Sequence, residues 1–176
     1  MTDSITVSLL TYRCPNQPKY SGTLQLLMES HVLKYMGQNV NICPLVRIVK
    51  PEAVEIDDSS VIDDYSYING GAGVKIGKHV HISGFVSVVG GGRLIIEDYA
   101  TIGYGTKIIT ARDTQSLEDT LLSDLLEVKS DAAGNDTVII EKGALIGNDV
   151  VIHPNVRICE RAVIESYSHI SEDVTP

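Results

Sequence analysis

The sequence predicts an all-β chain wound as a parallel β-helix, and three observations predict it. Apolar residues recur six apart: Ile42 and Ile48, then Ile56, Ile62 and Ile68, then Ile76, Ile82 and Val88, then Ile96, Ile102 and Ile108. Between these groups the step is eight, so the pattern repeats every twenty residues as three hexads with two extra residues at one recurring place. Four positions after most anchors stands a small or β-branched residue, among them Val46, Ser60, Ser66, Val80, Val86, Ala100, Thr106, Ala144, Val150 and Val156. A helix repeats near 3.6 and a simple strand at two, so neither produces six. A long internal period of this kind marks a stacked, repeating architecture.

The physical object is a prism. Three short strands and three corners make one coil, the anchor points inward on each face, and the small residue fits inside the bend. Coils stack at about 4.8 Å and satisfy each other's backbone groups by parallel pairing. The two extra residues fall in "KPEA", "GGAG" and "GGGR", where Pro and Gly mark a bulged corner kept along one edge. The rhythm resumes at Ile140, Ile146, Ile152, Ile158, Ile164 and Ile170 without extra residues.

The chain divides into an N-terminal segment, 1–38, and the β-helix, 39–176, interrupted by a projecting loop at 111–137. In the first segment, "SGTLQLLMESHVLKYMG" places Leu24, Met28, Val32 and Tyr35 on one helical face, with Gly37 as a stop. Such a helix would close the open N-terminal end of the prism and its sheet edges; His31 on it is structural. In the loop, Ser116 and Asp119 form a capping-box pattern, and Leu117, Leu121, Leu122, Leu125 and Leu126 are spaced for an amphipathic helix.

Composition bounds the function. Net charge is −9 and the lysines and arginines are scattered, which argues against nucleic acid or an anionic membrane as partner. One Phe, no Trp and eight Tyr leave a core of Ile and Val. Cys14, Cys43 and Cys159 lack disulfide or zinc-like spacing, which predicts reduced thiols in a cytoplasmic protein. "MTDSITVSLLTYRCP" reads as neither signal peptide nor membrane anchor.

Three stretches carry a family resemblance: "MGQNVNICPLVRIVKPEAVEIDDSSVIDDYSYI", "IGKHVHISGFVSVVGGGRLIIEDYATIGYGTKIITARD" and "ALIGNDVVIHPNVRICERAVIESYSHISEDVTP". Together they cover about residues 36–176, and they resemble the left-handed β-helix, hexapeptide-repeat acyltransferases, in particular the maltose/galactoside O-acetyltransferase-like branch of polysaccharide biosynthesis. The resemblance implies the left hand of the coil. It also implies a homotrimer, acetyl-CoA as co-substrate, no metal, and transfer of acetyl to a hydroxyl or amine of a sugar in surface-polysaccharide biosynthesis.

The chemistry needs a base that takes a proton from the acceptor as it attacks a thioester, work suited to neutral imidazole. In the branch named, the base is a histidine after "TAT" at the start of the projecting loop. The matching "IITARD" puts Asp113 there, and aspartate is a weak base for a sugar hydroxyl. His79 and His81 both lie off the inward positions. By resemblance to relatives that carry Asp at the loop position and a similar "HVHIS", His81 is the expected base, with Asp113 polarising it or holding the acceptor, and Ser83 beside the acceptor. The alternative for His81 is a solvent-facing corner residue; His79 is expected to be structural.

The resemblance places CoA against Gly147, Asn148 and Ala162 of the later coils, with Arg157 or Arg161 on phosphate. Gly147 is equally an ordinary second-position hexad glycine, and the arginines equally solvate a corner. Asp57, Asp63, Glu97, Glu141 and Glu165 occupy second positions often filled by glycine, a substitution the repeat tolerates. Relatives continue beyond this region with a "GNPAK"-type tail over CoA, where this sequence stops at "HISEDVTP". Two rival readings stand beside the acyltransferase: a non-catalytic β-helix scaffold or inactive paralogue, and a γ-carbonic-anhydrase-like metalloenzyme. The second is disfavoured because the sequence has no HxxxxH pair.

Overall fold

The computed structural model describes residues 32–111 and 136–175. The expected N-terminal helix up to residue 31, the helix expected in the projecting loop, and Asp113 lie outside the described residues.

Among the described residues, eighteen short strands run in chain order around a three-sided solenoid. Each face is a six-stranded parallel sheet. The first face holds β1 (Tyr35–Met36), β4 (Val54–Ile56), β7 (Gly73–Ile76), β10 (Arg93–Ile96), β13 (Thr137–Ile140) and β16 (Arg157–Ile158). The second holds β2 (Asn41–Ile42), β5 (Val61–Ile62), β8 (His81–Ile82), β11 (Thr101–Ile102), β14 (Leu145–Ile146) and β17 (Val163–Ile164). The third holds β3 (Arg47–Val49), β6 (Tyr67–Asn69), β9 (Ser87–Val89), β12 (Lys107–Ile109), β15 (Val151–Ile152) and β18 (His169–Ile170).

The coil therefore has the expected register. Ile62 pairs with Ile82, Ile82 with Ile102 and Ile102 with Ile146, and these anchors are fully or almost fully buried. Alternation within each strand sends the preceding residue outward, which is how Val61, His81, Thr101, Leu145 and Val163 come to line the outside of the second face.

Three details differ from the sequence expectation. Tyr35 does not lie on a helical face: it pairs with Glu55 in β1, so strand structure begins before the expected boundary at residue 39. The plain corners are as demanding as the bulged one. Ser59, Tyr65, His79, Phe85, Tyr99, Asp149, Asn155, Arg161 and Tyr167 all have φ between 52 and 66°, a region non-glycine residues seldom enter. The bulged corner is a 3-10 turn at Pro51–Ala53 in one coil and a glycine turn with Gly71 at φ 47° in the next.

The third detail is a ladder of buried hydroxyls inside the corners. Ser60 Oγ donates to the Gly77 carbonyl at 2.6 Å and accepts the Val80 N–H at 3.0 Å. Ser66 Oγ donates to the Ser83 carbonyl and Thr106 Oγ1 to the Gly147 carbonyl, each at 3.0 Å. These hydroxyls satisfy corner backbone groups that the parallel ladder leaves over. Ser60→Ala is accordingly expected to lower unfolding stability by about 1–3 kcal/mol, read as a lower urea midpoint at unchanged slope. An unchanged midpoint would show that the corner bonds water equally well.

The acidic third positions serve the outer side of the same corners. Asp58 Oδ1 accepts the Gln38 N–H, Asp64 Oδ1 the Leu45 N–H and Asp98 Oδ1 the Lys78 N–H, at 2.8–2.9 Å. The Gln38 N–H and the Lys78 ammonium hold the Asp58 carboxyl below its usual range.

Candidate active site

His81 begins β8 and points out of the second face, exposed as its outward register requires. Its Nε2 lies 2.8 Å from Asp63 Oδ2, with the two side chains 48% and 39% exposed. Asp63 follows the anchor Ile62 in the preceding coil, and the backbone N–H of Asp63 donates to the Ile82 carbonyl at 2.9 Å. The contact is thus a diagonal across one coil step. Ser83, half-buried, follows Ile82 in the same column as Asp63.

An open groove of about 480 Å³ runs along the corner that follows this face, lined by Cys43, Asp63, Asp64, Tyr65, Ser83, Gly84, Phe85 and Tyr104. Tyr65 stacks on Phe85 with centroids 4.8 Å apart, and Phe85 meets Tyr104 at 5.1 Å. Among the described residues the lining combines an aromatic wall with two carboxylates and no lysine or arginine. Burial first, then the Asp64 and Asp63 carboxylates, push the Cys43 thiol up from its ordinary value. That keeps it protonated and unsuited to nucleophilic attack near neutral pH.

The remaining expected site residues separate. His79 occupies a left-handed corner position and stacks on Tyr99, centroids 5.0 Å apart, so a local packing role accounts for it. Gly147 and Asn148 sit at the corner following β14, in the Ser83 column two coils further on and so about 10 Å away. A Cβ on Gly147 would meet the Ser166 backbone nitrogen at 2.5 Å, so the local stacking of the next coil accounts for a glycine there. Asn148 caps the neighbouring corner by accepting the Tyr104 N–H at 3.0 Å.

Arg161 and the half-buried Ala162 lie at the corner preceding β17, on the opposite border of the second face. Arg161 reaches Glu160 at 3.6 Å from a side chain 84% exposed. Arg157 belongs to the first face and is engaged with Glu141. The structure thus groups His81, Ser83, Gly147, Asn148, Arg161 and Ala162 along one face and its borders, and sets Arg157 apart.

Asp63 was visible in the sequence only as a tolerated acidic second position. Its partnership with His81 emerges when successive coils are stacked, since a twenty-residue repeat brings residue i beside i + 18 across the diagonal. Among the described residues no group of three or more His, Cys, Asp or Glu side chains is arranged to hold a metal ion. Cys43 and Cys159 are free thiols, and no helix among the described residues is long and apolar enough to cross a membrane.

Comparison with known proteins places this geometry. Residues 137–172 match the family model described as bacterial transferase hexapeptide (six repeats). The chain is 27% identical over 150 residues to the dTDP-4-amino-4,6-dideoxy-D-glucose acyltransferase of Escherichia coli, covering 85% of this chain and 78% of that protein. Its fold resembles AntD, an N-acyltransferase from Bacillus cereus solved as a variant with dTDP and coenzyme A, at a TM-score of 0.67 and 24% identity, over 82% of this chain and 77% of that one. A hexapeptide-repeat acetyltransferase from Vibrio cholerae complexed with acetyl-CoA is similar at a TM-score of 0.56 and 21% identity, over 82% of this chain and 64% of that one. The sequence similarity is to an acyltransferase of dTDP-4-amino-4,6-dideoxy-D-glucose, and the maltose/galactoside branch is not singled out.

Proposed function

We propose that this chain, a hexapeptide-repeat transferase, moves an acyl group from a CoA thioester to the amino group of a nucleotide-linked sugar, with acetyl as the acyl group. The observation that carries the reading is His81, held outward on the second face and bonded to Asp63, which with Asp64 supplies the carboxylates of the groove lining. A groove whose described lining carries carboxylates and no cation favours an ammonium-bearing sugar over a phosphate group, and the aromatic wall offers its rings to the apolar face of a sugar. The relative of the same length class that acts on an aminosugar supports the same acceptor class.

His81 acts as general base. The neutral amine attacks the thioester carbonyl, its proton passes to the imidazole, the C–N bond forms, and the C–S bond breaks to release CoA as thiolate, which takes the proton back. Ser83 lies beside the acceptor, and Asp113, where the projecting loop begins, holds the acceptor. The donor lies along the later coils of the second face, between Gly147 and Asn148 on one border and Arg161 and Ala162 on the other, over the exposed Leu145 and Val163. In this reading the protein is a cytoplasmic homotrimer supplying surface-polysaccharide synthesis, since a site spread along an outer face is walled only when a second prism lies against it.

The test is CoA release from acetyl-CoA in the presence of dTDP-4-amino-4,6-dideoxyglucose, against the sugar nucleotide carrying a hydroxyl at that carbon. Turnover with the amine and at most a few per cent of it with the hydroxyl sugar is expected. Equal turnover would remove the amine preference. No turnover, together with no calorimetric binding of acetyl-CoA at millimolar concentration, would leave the non-catalytic scaffold as the better account.

A further inference from the structure

We propose that Tyr99, Gly143 and Arg161 form a slot for the base of a nucleoside diphosphate, with the Lys142 ammonium placed for its phosphates. The ligand class rests on the acyl-transfer reading above, whose donor and acceptor both carry such a group.

The slot belongs to one column of corner residues, where the first face turns into the second. The His79 N–H donates to the Asp58 carbonyl, the Tyr99 N–H to that of Lys78, the Gly143 N–H to that of Asp98 and the Arg161 N–H to that of Lys142, at 2.8–3.0 Å. His79, Tyr99, Gly143 and Arg161 are therefore successive rungs, one coil apart. His79 and Tyr99 show what neighbouring rungs do. Their rings stack with centroids 5.0 Å apart and planes 13° from parallel. The rung beyond Tyr99 carries no side chain, because it is Gly143. At about 4.8 Å per coil, Arg161 follows about 10 Å from Tyr99. One planar ring, spaced from each wall as His79 is from Tyr99, fills that interval.

Neither the backbone nor the packing calls for a glycine at 143. Its φ is 68°, but Asn39, Ser59, His79, Tyr99 and Arg161 hold the same corner at 55–62°. A Cβ on Gly143 would meet the Arg161 Cγ at 3.5 Å, an ordinary contact. Gly105, in the column at the other border of the second face, is the contrast: a Cβ there would run into the Asp149 carboxylate. What glycine does at 143 is leave the flank of Tyr99 open.

Charge separates the two borders of the second face. Asp63 and Asp64 line the groove at one border, whereas Lys142 and Arg161 stand exposed at the other. The Lys142 ammonium lies 5.8 Å from the centre of the Tyr99 ring and has no carboxylate partner among the described residues. That distance is near the outer reach, about 6 Å, of a cation–π attraction, so little holds the ammonium where it is. Arg161 meets Glu160 at 3.6 Å from a side chain 84% exposed. A guanidinium stacks on planar rings as well as pairing with phosphate. A base in the slot has the Tyr99 ring on one face and Arg161 on the other, and its diphosphate draws Lys142 away from the ring.

The experiment is calorimetric titration of the full-length protein with dTDP and, separately, with ADP. The wild type is expected to bind at least one of them. Gly143→Asn fills the rung with the residue that holds this corner in the first coil, and Tyr99→Leu removes the ring from an exposed position. Each variant should weaken the bound ligand by about 5- to 100-fold with a thermal midpoint within about 2 °C of the wild type. An effect on dTDP alone assigns the slot to the acceptor, and an effect on ADP alone assigns it to the donor.

Unchanged binding in either folded variant, or no binding of dTDP or ADP by the folded wild type at millimolar concentration, overturns the proposal. Binding is read without turnover, so the slot and the reaction fail separately. Ligand lost from both variants of a protein that transfers no acyl group keeps the slot and sinks the reaction. Acyl transfer with unaltered KM for both substrates in both variants keeps the reaction and sinks the slot.

Discussion

His81→Asn is expected to lower kcat by about 10²- to 10⁴-fold while leaving the thermal midpoint within about 1 °C of the wild type. The size follows from general-base catalysis: an amide of similar shape can occupy the site but cannot carry the proton. Stability is spared because the side chain is half exposed and its polar partner among the described residues is a surface carboxylate. KM for both substrates should stay within a few-fold, since in the proposed reaction the imidazole would act mainly in the transition state, as the acceptor's proton moves. His79→Asn serves as the contrast. Its ring stacks on Tyr99 at a left-handed corner, so activity should hold within about threefold. Equal losses in the two variants would place the chemistry elsewhere.

Ile102→Ala carries the largest expected cost to the fold, about 2–5 kcal/mol. Ile102 is fully buried, pairs in register with Ile82 on one side and Ile146 on the other, and belongs to a middle coil of the stack. The cavity would be walled by neighbouring anchors whose backbones are pinned by parallel ladders, so little collapse is available to shrink it. Ile42→Ala removes the same atoms from β2 at the rim of the same sheet, where the side chain is only partly buried. It should cost less than half as much. Urea unfolding of both variants makes the comparison, and equal losses would mean that the rim anchor is as fully enclosed as the central one. In a solenoid each coil contacts only its neighbours, so a central lesion interrupts two interfaces and a rim lesion one.

The fold was legible from the sequence because the constraint that shapes it is local and repeated. Each inward anchor is forced by the pleat and each coil restates the same choice, so Ile62, Ile82, Ile102 and Ile146 could be assigned to one column before any coordinates. The corners were legible only in part. Small residues were expected inside the bends, but not that Ser60, Ser66 and Thr106 would tie the bends together through buried hydroxyls. Nor was it evident that Tyr65, Phe85 and His79 would stand in left-handed positions. Side-chain identity gives little warning there, because the surrounding ladders impose the dihedral whatever the residue.

The candidate site was legible as a set of names without its contacts. His81 stands on the second face, Ser83 lines the groove, and Asp63, bonded to His81, lines it too. The arginines show the limit: Arg157 and Arg161 are close in sequence, yet Arg157 stands on the first face and Arg161 in the corner that leads to the second. Asp63 shows the reverse, a residue far from His81 in sequence and bonded to it in space.

The sequence by itself determined the parallel β-helix, the three-hexad coil, the inward anchors and the outward exposure of His81, because these follow from periodicity and the alternation of a strand. The tertiary structure alone decided that His81 meets Asp63, that Gly147 is fixed by the backbone of the next coil, and that the groove combines aromatic rings with carboxylates. The physical reason is that periodicity sets which way a side chain faces, whereas the stagger between stacked coils sets what it touches. That stagger is a property of the assembled ladders rather than of any one repeat.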